Sequence, residues 1–136
     1  MQVQGIVVSN HGGRQVDGGV ASLAMLPRIV DAVGDKLDIF FDSGIRAGAD
    51  IAKAMALGAQ MCLVGRPYGT YSSMNGDSMR ADVCLVYGLA LGGEEGVSHV
   101  LKSLLGDLEL TLHLAGIEST NQKHLNRDVL VREDEL

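Results

Sequence analysis

The chain has 136 residues, 46% of them apolar, and a formal net charge of −6, which suits one domain with a buried core. That charge excludes a basic nucleic-acid-binding face, the 21% of charged residues and mean hydropathy of +0.17 exclude a disordered chain, and no apolar run is long enough to span a membrane. Eighteen glycines against two prolines point to many tight turns, or to backbone that must come close to a ligand.

The chain opens Met-Gln-Val-Gln with no signal-peptide pattern, so an intracellular compartment, the cytoplasm or another, is expected. Gly5-Ile-Val-Val8 is a short apolar run with β-branched content and predicts a strand buried on both faces. Ser22 can cap a helix running to about Val33, with Leu23, Leu26, Ile29, Val30 and Val33 on one face; Pro27 is tolerated if it falls in the first turn. Asp38-Ile-Phe-Phe41 predicts a second strand. A helix follows from about Gly48 to Leu57, stopped by Gly58, and Met61-Cys-Leu-Val64 predicts a third strand. Val97, Val100, Leu101, Leu104, Leu105 and Leu108 then fall at the spacing of a long amphipathic helix. Cys62 and Cys84 make no Cys-x-x-Cys pair, and His99, His113 and His124 have no partner at ligand spacing, so no metal site is expected.

Alternating strands and helices require a parallel α/β sheet, either doubly wound or closed as a (β/α)8 barrel. A barrel takes about 250 residues, so three units are part of one. Ligands of such folds sit at the carboxyl ends of the strands. Here those ends read Ser9-Asn-His-Gly-Gly-Arg-Gln15, Asp42-Ser-Gly-Ile-Arg-Ala-Gly48 and Gly65-Arg-Pro67. The second and third suit an anion: glycines bare their N–H groups, a helix begins with its positive end, and Arg46 or Arg66 adds charge. The first suits acid–base work, because an imidazole exchanges protons near neutral pH and the Arg14 guanidinium can clamp a carboxylate with two parallel bonds. Read one at a time, the alternatives are glycine-rich turns with surface arginines and a histidine capping a strand end.

In order and spacing, Ser9-Asn-His-Gly-Gly-Arg-Gln15, Asp42-Ser-Gly-Ile-Arg46, Gly65-Arg-Pro-Tyr68 and Val86-Tyr-Gly-Leu-Ala-Leu-Gly-Gly-Glu-Glu-Gly96 resemble the FMN-dependent 2-hydroxy-acid oxidases and dehydrogenases, which include glycolate, lactate and mandelate enzymes. The likeness runs from Gly5 to about Gly116. It implies the last three β/α units of a (β/α)8 TIM barrel, FMN as cofactor, a small 2-hydroxy acid as substrate and a homotetrameric assembly. It assigns His11 as the base that removes a substrate proton, with His11 and Arg14 binding the substrate. Ser9 matches a residue at the flavin ring. Asp42, Ser43, Gly44, Ile45 and Arg46 match the stretch that holds the ribityl chain and phosphate, and Gly65 and Arg66 match the second phosphate turn. The family commonly has Gly where Ser43 stands, though Ser also occurs.

The resemblance has one interruption, Gly69 to Leu85, where the family runs on without a break. Two readings are open: a surface loop at the mouth of the site, or a retained intron translated in frame, which the codons available to Gly69-Thr70 and Leu85-Val86 favour. The barrel segment is thus expected over residues 1–118, followed by a polar tail over 119–136 whose last residues are solvated. Because the family's earlier strands have no counterpart here, the chain is expected to be a fragment of such an enzyme and inactive alone. The rival reading is a non-catalytic remnant or truncated gene model.

Overall fold

The computed structural model describes residues 3–65, 85–132 and 135. Strands β1 (Gly5–Val8), β2 (Asp38–Phe41) and β3 (Met61–Cys62) form one parallel sheet in the order β1-β2-β3. Its register pairs Val7 with Phe40 and Phe40 with Met61, and likewise Val8 with Phe41 and Phe41 with Cys62. Successive side chains alternate between faces, so these two rows point opposite ways. Val8, Ile39 and Phe41 are buried together with Leu26 of helix α1 (Ser22–Val33) and with Ile51, Ala52 and Ala54 of helix α2 (Gly48–Ala56). On the other face Val7 and Met61 are 51% and 52% exposed. Phe41 and Ile39, on the face that carries Val8, each contribute about 1.5–3 kcal/mol by burial.

Both crossover helices appear where periodicity predicts them, with two local differences. Ser22 is not the cap of α1. Ala21 holds the N-cap place in extended conformation with no side-chain cap bond, Ser22 is already helical, and its Oγ is buried with no partner among the described residues. Pro27 lies in the second turn rather than the first, so it removes one helical N–H donor. The third strand is shorter than its apolar run. Leu63 N still donates to Phe41 O at 2.8 Å, but β2 ends there and Ser43 and Gly44 turn away with φ of +81° and +91°, leaving Val64 no strand to pair with.

Helix α3 (Leu85–Leu114) contains the predicted amphipathic segment and is broken by non-helical dihedrals at Gly92 and Gly93. Its second limb packs on α2 through Leu104, Leu108 and Leu112, while Leu101 and Leu105 are 42% and 60% exposed. The packing is closest at Gly48, where an added Cβ would lie 2.1 Å from Leu108 N. Beyond α3 the chain returns to the core: Leu125 is 1% exposed, and Arg127 pairs with Asp31 at 2.7 Å while donating to Pro27 O at 3.1 Å. Arg66 and residues 69–84 of the interruption lie outside the described residues, and Leu85 opens α3.

Candidate active site

The loop after β1 is built around one turn of 3₁₀ helix, His11–Gly13. Asn10 holds it from both sides: Oδ1 accepts from Gly13 N at 3.1 Å, and Nδ2 donates to Val20 O at 3.3 Å. His11, Gly12 and Gly13 take φ values of +55°, +65° and +72°. Glycine does this freely, but for His11 the left-handed region costs about 1–2 kcal/mol, and such a conformation persists only where its surroundings over-determine it. Those surroundings are hydroxyls. His11 N donates to Ser9 Oγ at 3.0 Å, and Gly12 N donates across the sheet to Ser43 Oγ at 3.0 Å. The Gln15 side-chain amide lies 3.4 Å from His11 Nδ1.

The loop after β2 is shorter and anchored by carboxylates. Ser9 Oγ donates to Asp42 Oδ2, and Ser43 Oγ donates to the same oxygen at 3.0 Å. Ile45 is buried and Arg46 exposed. At the start of α2, Asp50 Oδ2 accepts from Arg46 N at 3.0 Å and from Ala47 N at 3.1 Å, while Asp107 Oδ2 of α3 accepts from Gly48 N at 2.6 Å. Both carboxylates sit where the helix dipole favours negative charge. Here the structure departs from the sequence expectation: the protein's own acids occupy these amides of the helix start, and the turn's contribution toward an anion is the Arg46 side chain. Asp50, an acid in the first turn of α2, carries a legible signal because negative charge favours a helix start; Asp107 is distant in sequence and carries none.

One open cavity of about 610 Å³ lies at the carboxyl ends of the strands. Ser9, His11, Arg14, Asp42, Ser43, Gly44, Ile45, Arg46 and Gly65 all line it, so every described residue singled out from sequence meets at one place. Arg66 lies outside the described residues. A Cβ added at Gly12, Gly13, Gly44 or Gly65 would meet nothing within 4 Å, so this backbone borders open space. Sequence reasoning missed the structural part played by Asn10, Asp50 and Asp107. Cys62, packed against the core, has its thiol pushed up to about 11 by burial and stays neutral at physiological pH. His124 meets Ser119 Oγ at 3.2 Å and Glu118 at 3.5 Å, and His99 and His113 are exposed on α3. Among the described residues no helix is long and apolar enough to cross a membrane.

Residues 1–132 match the family model described as FMN-dependent dehydrogenase. An FMN-dependent alpha-hydroxy acid dehydrogenase of Schizosaccharomyces pombe is 67% identical over 132 residues, which cover 97% of this chain and 28% of that protein. Among solved structures, a lactate oxidase of Pediococcus acidilactici superposes with a TM-score of 0.72 at 42% identity, covering 90% of this chain and 29% of that one. A mandelate oxidase with benzoyl-formic acid superposes with a TM-score of 0.68 at 42% identity, covering 85% and 30%. The chain thus spans under a third of the length of these relatives, and the match extends to residue 132, past the Gly5–Gly116 likeness legible in the sequence motifs.

Proposed function

The chain belongs to the FMN-dependent dehydrogenase family, and on that premise we propose that it forms the last three β/α units of a (β/α)8 enzyme that oxidises a 2-hydroxy acid to a 2-oxo acid. The observation that carries this reading is the meeting of His11, Arg14 and Arg46 around one cavity at the strand ends. The cavity fits FMN: open backbone at Gly44 and Gly65 can approach a flat, anionic group, and Asp42 and Asp50 have an oxygen each engaged within the protein. Arg46 would hold the phosphate, a role the sequence resemblance also gives to Arg66, and Ser9, Asp42, Ser43, Gly44, Ile45 and Gly65 would border the ribityl chain and ring. When bound, FMN supplies the two-electron acceptor.

Arg14 pairs with the substrate carboxylate through its planar fork. That fixes the hydroxyl-bearing carbon against His11. His11 takes a proton at Nε2, the ring nitrogen that the Gln15 amide does not meet. This requires Gln15 to present its oxygen to Nδ1–H, an orientation reached by a half-turn of the amide. The proposed assembly is a homotetramer, checked by light scattering of the full-length protein.

The test is anaerobic mixing of the FMN-loaded full-length protein with glycolate, L-lactate and L-mandelate. Bleaching of the flavin band with stoichiometric 2-oxo acid is expected for at least one of them. No bleaching with any short or aromatic 2-hydroxy acid would overturn the reading.

A further inference from the structure

The hydrogen bonds beneath the cavity form a path that none of the roles above uses. Two successive amides of the strained loop, His11 N and Gly12 N, donate to Ser9 Oγ and Ser43 Oγ, each at 3.0 Å. Both hydroxyls donate on to one atom, Asp42 Oδ2, and they stand 3.2 Å from each other. The loop that carries His11 is thereby fastened to the loop that carries Arg46 through one carboxylate oxygen. Ser43 is the member that crosses between the loops by a backbone amide. It does so from a φ of +81°, a region in which any side chain is strained and glycine is not.

We propose that Ser43 is a positioning residue for His11: its hydroxyl, held by Asp42, fixes the Gly12 amide and so sets the imidazole over the cavity. This deepens the reading of His11 as the base and rests on it. A serine that served only to border the cofactor would need no bond to the opposite loop. A serine that served only the fold would leave the reaction rate untouched once the protein had folded.

Ser43→Ala removes the hydroxyl and keeps the Cβ; Ser43→Gly removes the hydroxyl and relaxes the backbone, so it folds even where the alanine variant fails. Both are made in the full-length protein. In the apoprotein, hydrogen exchange at the His11 and Gly12 amides is expected to quicken several-fold. In the FMN-loaded protein, the flavin-reduction rate constant at saturating substrate and saturating FMN should fall about 3- to 10-fold, the worth of one such bond. Unchanged exchange at Gly12 overturns the proposal. So does a reduction rate of the FMN-saturated variants equal to wild type, which would leave Ser43 a cofactor neighbour alone. If no 2-hydroxy acid reduces the wild-type flavin, the functional reading fails by itself, and the exchange measurement on the apoprotein still decides whether Ser43 fixes the loop.

Discussion

Between β1 and α1 the chain takes a long route, Ser9 to Ala21; between β2 and α2 it turns within Asp42 to Ala47. The long loop is held by hydroxyls and by the Asn10 amide, on a backbone that is left-handed at three successive residues. The short one is held by carboxylates at a helix start, with Asp50 and Asp107 taking the amides of residues 46 to 48. Hydroxyl-to-amide bonds are the weaker kind and charge-assisted ones the stronger. The difference teaches that the loop proposed to do chemistry is fixed by many weak bonds onto a strained backbone, while the loop proposed to hold the phosphate is rigid from its own helix and its neighbour α3.

The largest expected effect belongs to the long loop. His11→Gln in the full-length protein should lower the flavin-reduction rate constant by about 10²–10⁴-fold with FMN still bound, as read by stopped flow; reduction at the wild-type rate would remove His11 as the base. The short loop should answer in the opposite sense. Arg46→Gln should weaken FMN binding about 10-fold or more, the worth of a charge-assisted bond, and leave the reduction rate of the loaded protein close to wild type. A flavin titration showing unchanged affinity would break the contrast between the loops.

Two further changes probe the anchors. Gly48→Ala puts a Cβ 2.1 Å from Leu108 N, so α3 must shift, and urea unfolding should show a loss of about 1–3 kcal/mol. A variant as stable as wild type would mean that α3 does not bear on this turn. Ser22→Ala should have the smallest effect and the opposite sign: it removes a buried hydroxyl with no partner among the described residues, so stability should hold or rise by up to about 1 kcal/mol. A clear loss of stability would show that Ser22 Oγ has a partner in solution.

The strands and crossover helices were legible because β-branched and aromatic runs such as Gly5–Val8 and Asp38–Phe41 leave few alternatives, and because Leu23, Leu26, Ile29 and Val30 keep strict helical spacing. The residues of the cavity were legible through their strings. What stayed hidden depends on three-dimensional partners. Ser22 looks like a cap by type, yet capping needs an extended backbone that Ala21 has instead. The third strand's length is set by where β2 ends, which its own apolar run does not encode. Asp107 reads as one more acid on a helix until α3 folds back over Gly48.

The bond from Arg127 to Pro27 spans 100 residues of sequence. During synthesis α1, with the proline in its second turn, precedes Arg127 by about a hundred residues and must wait for it before this bond can form. Closing so long a loop is entropically costly, and contacts of such separation slow folding. The nascent α1 therefore depends for this anchor on residues made long after it.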